Sequence, residues 1–123
     1  MRLANDFYRI ETYEECKSGA VARLKLNSEH VIYRAHFPNQ PVTPGVCMIE
    51  MLTELMEKRI GKPLFLCKVR NIKFLNKLSP AAVPVISISF SYQVETGETA
   101  KYAVKGEIFG DEQVFAKLSV TYE

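Results

Sequence analysis

The sequence predicts an α+β fold in which one antiparallel sheet wraps around a single long helix. Two features point to this class. The C-terminal third contains three successive segments in which apolar and polar residues alternate, separated by short turn-forming sequences. Upstream lies one helix-length segment whose apolar residues cover most of its circumference. Alternation with a period of two is typical of strands with one buried face, and a helix that is apolar nearly all round is typically buried.

The strands are predicted from these alternations and the turns between them. The three C-terminal alternations have their apolar positions within residues 86–94, 102–108 and 114–122. Turns at residues 96–98 and 110–111 join them, and short connections of this kind predict an antiparallel meander. Earlier segments are assigned less strongly: strands at residues 67–75 and 20–26, a weaker candidate at 7–13, and a short extended segment at 31–35.

The helix is predicted to run from about residue 44 to residue 59. We expect Thr43 to cap it and Pro44 to be its first residue, because proline suits that position. Gly61 and then Pro63 are expected to end it. Cys47, early in this helix, is interpreted as a small core residue.

Composition limits the functional classes. The chain of 123 residues is predicted to form one domain over residues 1–123, with 47% hydrophobic and 24% charged residues. A net charge of +2 is too mild to indicate nucleic-acid binding. The three cysteines lack the spacing of a metal site, and no apolar run is long enough to enter a membrane. The start of the chain lacks the apolar core of a secretory signal. We therefore expect a cytoplasmic protein without a metal.

Most of the candidate functional residues lie in or near the segment 35–46. It contains three prolines, which stiffen a connection between a histidine, His36, and the start of the helix. The helix start offers free backbone N–H groups, and Gly45 permits close approach of a ligand. Glu50 lies within the first two turns of the helix. A thioester carbonyl that gains negative charge could be held at this helix start.

These residues resemble a known family. His36-Phe37-Pro38, Pro41, Pro44-Gly45-Val46 and Glu50 match every fixed position of the pattern H-F-P-x-x-P-x-x-P-G-V-x-x-x-E, which is similar to that of the 3-hydroxyacyl-[acyl carrier protein] dehydratases of fatty acid synthesis. The resemblance extends more loosely over most of the chain. It implies a hot-dog fold.

The resemblance also implies roles for the matched residues. His36 of one subunit would remove the proton at C2 of the substrate. Glu50 of the other subunit would protonate or orient the leaving 3-hydroxyl, either directly or through water. The Gly45 N–H would bind the thioester carbonyl, with Phe37, Pro44 and Val46 around the substrate. A neutral imidazole suits a base near neutral pH, and a carboxyl group in apolar surroundings tends to keep its proton.

The family also implies the assembly and the partners. The active site would span a homodimer whose two sheets join edge to edge, with pairing of dimers into a larger oligomer left open. The substrate would arrive on the phosphopantetheine of an acyl carrier protein, and no further cofactor is expected. Independently of the family, the clustered basic residues Lys68, Arg70 and Lys73 could form a weak docking patch for the acidic carrier protein or for the phosphopantetheine phosphate, although a solvated strand face explains them slightly better.

Some positions depart from the family pattern. Ala35 replaces a glycine before the histidine, Asn39 replaces a glycine after the His-Phe-Pro motif, and residues 51–56 are bulkier than usual. Residues 80–82 replace the family's Pro-Gly-Asp turn. These differences concern the acyl chain length and the pathway more than the reaction.

Alternative interpretations remain for individual residues and for the function. Glu50, Glu54 and Glu57 could form only a solvated stripe of the helix. His30 has no functional context and is interpreted as a surface residue. An acyl-thioester hydrolase on the same fold is the second hypothesis for the function, and a non-catalytic acyl-carrier or lipid-binding module is the third.

Overall fold

The computed structural model describes residues 2–35 and 39–123. Two helices and six strands follow one another within these residues. They are β1 (Tyr8–Cys16), β2 (Gly19–Leu26), α1 (Val31–Ala35), α2 (Gly45–Ile60), β3 (Leu66–Phe74), β4 (Val85–Glu95), β5 (Lys101–Gly110) and β6 (Gln113–Tyr122). This order confirms the predicted α+β class and each predicted strand apart from one segment.

All six strands form one antiparallel sheet in the order β1-β2-β4-β5-β6-β3. The C-terminal meander β4-β5-β6 is its centre, as the alternations predict. The turn between β5 and β6 places Asp111 and Glu112 at φ 50° and 60°, a left-handed pair that suits the twist of a two-residue hairpin. The strands β1 and β3 are left at the edges of the sheet.

Helix α2 packs against one face of this sheet. Leu52, which is fully buried, lies over Gly106 of β5, where a Cβ atom would come within 3.1 Å of both Leu52 methyl groups. The inward residues of the strands and the inward face of α2 together form the hydrophobic core. Cys47 is 1% exposed, which confirms its assignment to the core. Neither helix in the described part of the chain is long and apolar enough to span a membrane.

The prediction for the start of α2 is wrong by one residue. Pro44, with φ −62° and ψ 147°, is the extended N-cap residue, and Gly45 is the first residue of the helix. Thr43 does not cap the helix, because its buried hydroxyl pairs instead with the hydroxyl of Tyr33 at 2.8 Å. Gly61 ends the helix as predicted: it has φ 85° and donates its N–H to the Glu57 carbonyl.

The prediction that residues 31–35 are extended is also wrong, since they form α1. Val31 and Ile32 favour strands, and five residues are too few to show a helical period. The helix is fixed by tertiary contacts: Tyr33 is buried and stacks on Phe7, with ring centroids 5.0 Å apart. His30, interpreted as a surface residue, has a side chain only 10% exposed, and its Nδ1 accepts the Ile32 N–H.

Gly19 is the glycine on which the sheet depends most. A Cβ atom there would overlap the Phe90 carbonyl oxygen of the neighbouring strand β4, and the strand backbone cannot yield as a side chain can. We expect Gly19→Ala to lower the free energy of unfolding by about 1–3 kcal/mol or more. Chemical denaturation would measure it. Gly97→Ala, whose Cβ would have only Thr99 O nearby at 3.8 Å, is the matched control. Equal effects of the two substitutions would contradict this explanation.

Candidate active site

The start of α2 brings together the site residues that the structure describes. Gly45 is the first helical residue, so its N–H has no acceptor within the helix and carries part of the positive end of the helix dipole. Pro44 precedes it and Val46 follows, with Val46 60% exposed. Glu50 lies one to two turns further along the same helix. His36 and Phe37 lie outside the described residues.

The described residues on either side of His36 are fixed by buried contacts. On its N-terminal side, Tyr33 of α1 is 1% exposed. On its C-terminal side, Thr43 is 2% exposed and donates its N–H to the Leu78 carbonyl. The hydrogen bond between the Tyr33 and Thr43 hydroxyls joins these two sides.

Phe74 covers the helix start. It is the last residue of β3, and an ideal Cβ atom on Gly45 would come within 2.6 Å of its Cζ atom. The glycine therefore makes room for an aromatic ring at this point, and the ring is itself 51% exposed. The sequence pattern identified Gly45, but nothing in it indicated that Phe74 would lie against it.

Glu50 has an unusual carboxyl group. Burial, followed by the hydrogen bond and the negative charge of Glu54, raises its pKa from 4.5 to about 7. A glutamate with such a pKa keeps a proton near neutral pH and can donate it, which is the property required of a general acid. Glu50 in turn contributes to raising the pKa of the Cys47 thiol, after the larger effect of burial.

Glu54 was missed as a functional residue. The three glutamates of α2 do not form a solvated stripe, because Glu54 is only 5% exposed. Its carboxylate accepts hydrogen bonds from the Leu3 N–H, the Ala4 N–H and the Tyr8 hydroxyl. Glu57, one turn further, pairs with Arg2 at 3.2 Å and accepts the Leu64 N–H. The start of the chain is thereby tied to α2.

The burial of α2 is uneven. A strip of half-buried or exposed residues runs along one side of the helix, and it contains Val46, Ile49, Glu50 and Thr53. In a single copy of the chain, the prediction that α2 is buried on nearly all sides is therefore wrong. The candidate acid Glu50 lies on this incompletely covered side.

The three basic residues predicted to dock a carrier all lie on the edge strand β3 and are exposed. Lys68 and Arg70 line one recess together with Lys101. Lys73 lies apart from this recess, opposite Lys117 of β6. The structure thus brings two of the three together and places the third beside a different lysine.

The raised pKa of Glu50 predicts a pH dependence of stability. Between the ordinary value of 4.5 and about 7, the folded chain holds a proton that the unfolded chain has released. Stability must therefore fall as the pH rises through this range. We expect the thermal midpoint of Glu50→Gln to exceed that of the wild type by an amount that is small near pH 5 and grows towards about pH 8. A difference that stays constant with pH would contradict the assignment.

The sheet around one long helix, with a carboxyl group of raised pKa one to two turns beyond the helix start, defines a protein of the hot-dog fold. Comparison with known proteins gives the family. The family model of the ApeI dehydratases, ApeI-like, matches residues 12–117. The chain belongs to this family, which confirms the predicted resemblance to dehydratases and the predicted enzyme class, a lyase.

Curated relatives agree with this assignment. The chain is 29% identical to the 3-hydroxyacyl-[acyl-carrier-protein] dehydratase FabZ of Fusobacterium nucleatum over 106 residues, which is 80% of this chain and 70% of that protein. It is 32% identical to FabZ of Clostridium acetobutylicum over 88 residues, 64% of this chain. That second alignment spans 62% of the relative, which is less than two thirds of its length.

Solved structures confirm the hot-dog fold. The dehydratase heterocomplex ApeI:P of Xenorhabdus doucetiae superposes with a TM-score of 0.70 at 16% identity, covering 93% of this chain and 96% of that one. A hypothetical thioesterase of Streptococcus pneumoniae, with coenzyme A, superposes with a TM-score of 0.62 at 16% identity over 94% and 83% of the two chains. At these identities the likeness concerns the fold.

Proposed function

We propose that this protein dehydrates a 3-hydroxyacyl thioester to the trans-2-enoyl thioester, with His36 as the base and Glu50 as the acid. The observation that carries the proposal is the carboxyl group of Glu50, which holds its proton near neutral pH beside a helix start that suits a thioester carbonyl. Membership in a family of dehydratases gives the reaction class.

The steps balance without a cofactor. The neutral imidazole of His36 takes the proton from C2, and the electron pair forms the C2–C3 double bond as the C3–O bond breaks. Glu50 gives its proton to the departing hydroxyl, so that water leaves. His36 ends protonated and Glu50 ionised, and exchange with solvent restores both. General acid and base catalysis of this kind contributes about 10²–10⁴-fold each.

Gly45 is proposed to hold the thioester carbonyl. Removal of the C2 proton shifts negative charge onto the carbonyl oxygen, and a free N–H at the positive end of a helix stabilises that charge. Phe74 covers Gly45 and leaves limited space there. Pro44, Val46 and Phe37 would surround the acyl group close to the reacting carbons.

The active site is proposed to span a homodimer. The edge strand β3 exposes apolar side chains over most of its length: Phe65 just before it, Leu66, Val69, Phe74 and Leu75 just after it are 41–71% exposed. An edge strand with unpaired backbone groups and an apolar surface is suited to pairing with another strand. A second copy joined there would extend the sheet, and it would also cover the half-buried side of α2 that carries Glu50.

The substrate is proposed to be carried by an acyl carrier protein, as the names of the FabZ relatives state for those enzymes. The carrier presents the acyl chain on phosphopantetheine, and the exposed Lys68 and Arg70, with Lys73 further along β3, would meet its acidic surface. The proposed process is therefore fatty acid biosynthesis or a related lipid pathway in the cytoplasm.

The reaction can be tested with a crotonyl group on an acyl carrier protein. Hydration of the double bond removes the absorbance of the conjugated enoyl thioester, whereas hydrolysis also releases a free thiol that a thiol reagent detects. We expect loss of absorbance without thiol release. Thiol release at a comparable rate would support the hydrolase. Binding of the acyl carrier without either change, across several chain lengths, would support a non-catalytic module.

A further inference from the structure

The structure assigns a role to Glu54: we propose that it is the positioning residue of the site, an anion fixed one helical turn from Glu50 that keeps Glu50 in its proton-donating form. This inference rests on the proposed function for its consequence in catalysis, but the interaction between the two carboxyl groups can be measured without any turnover.

Three directional hydrogen bonds fix the carboxylate of Glu54. The backbone N–H groups of Leu3 and Ala4 donate to its two oxygens at 2.7 and 2.8 Å, and the Tyr8 hydroxyl donates at 3.0 Å. Every partner is a donor, so Glu54 acts only as an acceptor, which is the pattern of an ionised carboxyl group. A buried charge is tolerated where such donors surround it.

The hydroxyl of Tyr8 is affected by the negative charge of Glu54. It is 2% exposed, and the pKa of its hydroxyl is raised by burial, then by the charge and the hydrogen bond of Glu54. A tyrosine in this setting remains a proton donor at every physiological pH. The donor set around Glu54 is therefore constant over the range in which an acid–base enzyme operates.

The negative charge of Glu54 acts on Glu50 because the two residues are spaced i, i+4 on α2 and therefore lie on one side of the helix. Burial is the largest cause of the raised pKa of Glu50, and the hydrogen bond and the negative charge of Glu54 raise it further. Both effects favour the protonated state of Glu50. Glu54 therefore acts through Glu50 and has no contact with the substrate in this proposal.

Other ionisable groups near Glu50 contribute less to this effect. In the described ranges, the titratable groups coupled to Glu50 come from the N-terminal segment, from α2 itself and from β6, and they are Tyr8, Cys47, Glu54, Glu57 and Tyr122. Burial raises the pKa values of the tyrosines and the thiol, which keeps them neutral. Glu57 lies two turns from Glu50 and pairs with Arg2 at 3.2 Å, and its charge raises the pKa of Glu50 less than that of Glu54 does.

The experiment is a carbon-13 NMR titration of the glutamate side-chain carboxyl groups in the full-length protein, with the Glu50 signal assigned from Glu50→Gln. In the wild type we expect Glu50 to titrate near neutral pH. In Glu54→Gln we expect its midpoint to move down by on the order of one pH unit. A Glu50 midpoint that is the same in Glu54→Gln and in the wild type would overturn the proposal.

Two further variants test whether a shift of the Glu50 midpoint comes from the charge of Glu54 or from a change in the structure around it. Tyr8→Phe removes one donor to Glu54 and keeps the charge, so the Glu50 midpoint should stay near its wild-type value. Glu57→Gln removes a carboxylate from the same helix and should shift the midpoint much less than Glu54→Gln. If Glu54→Gln fails to fold, the wild type decides: a Glu50 midpoint at the ordinary acidic value of a glutamate would overturn the proposal.

Activity measurements distinguish a failure of the role proposed for Glu54 from a failure of the proposed reaction. If the wild type is active, the alkaline limb of its pH profile for dehydration of a 3-hydroxyacyl thioester, where Glu50 loses the proton that it donates, should move to lower pH in Glu54→Gln, with about tenfold less activity above the limb for each pH unit of displacement. An unmoved limb in an active variant would refute the role of Glu54 alone. A wild type without turnover would refute the proposed reaction and leave the NMR result on the two glutamates intact.

Discussion

His36→Ala is expected to lower kcat/KM for hydration of an enoyl thioester by about 10²–10⁴-fold. Hydration is the reverse of the proposed dehydration and passes through the same transition state, in which the imidazole of His36 moves the proton to or from C2. Imidazole suits this step because it gains and loses a proton near pH 7. The assay is the loss of absorbance of a crotonyl group on a carrier protein, with the wild type measured alongside.

The control for this prediction is binding. The variant should bind a saturated acyl carrier as the wild type does and should unfold at a similar temperature, because His36 is assigned to chemistry and not to the fold. Glu50→Gln should show the same separation, with turnover reduced by a similar factor and binding retained. Turnover of His36→Ala within tenfold of the wild type would mean that another group removes the proton.

The fold was largely predictable from the sequence because it depends on local patterns. The alternation in residues 86–122 places one face of each strand in the core, and short turns leave few ways to connect such strands. Gly61 ends α2 in the left-handed conformation that glycine favours. Each of these features is determined by a few residues that are close together in the sequence.

The features that were not predictable depend on contacts between distant parts of the chain. The spacing of Glu50, Glu54 and Glu57 is the same for a solvated stripe and for a buried cluster. The difference comes from the Leu3 N–H, 51 residues before Glu54, and no sequence pattern indicates that contact. Thr43 likewise looks like a helix cap until the structure shows that its hydroxyl pairs with Tyr33 of α1.

Motif matching and structure contribute different parts of the candidate site. The motif identified His36, Gly45 and Glu50 by their spacing, without reference to their surroundings. The structure adds the surroundings of the last two: Phe74 against Gly45, and Glu54 beside Glu50. The raised pKa of Glu50 follows from burial and from that neighbour, so the proposed acid of the motif depends on a residue outside it.

The proposed dimer predicts a second substitution with a large effect on turnover. Val69→Lys on the edge strand β3 should convert the protein to a monomer and reduce turnover by at least about 100-fold. Val69 is 51% exposed and lies between Lys68 and Arg70, so a lysine there places three successive positive charges on the strand that would pair with its own copy. Like charges facing each other across paired strands are destabilising. Sedimentation velocity would measure the assembly, and the enoyl hydration assay would measure the activity.

Val94→Lys is the matched control, because Val94 is also 51% exposed but lies on β4 inside the sheet, opposite Tyr102 of β5. It should leave both assembly and turnover unchanged.

A monomeric Val69→Lys protein with full activity would mean that one chain holds the complete site. A dimer that survives Val69→Lys would move the interface away from β3. A wild-type chain that is monomeric and inactive alone would indicate that the half-buried side of α2 is completed by a different chain, as in a heterocomplex. Since Glu50 lies on that side, assembly and acid–base chemistry should be lost together whenever the correct edge is blocked.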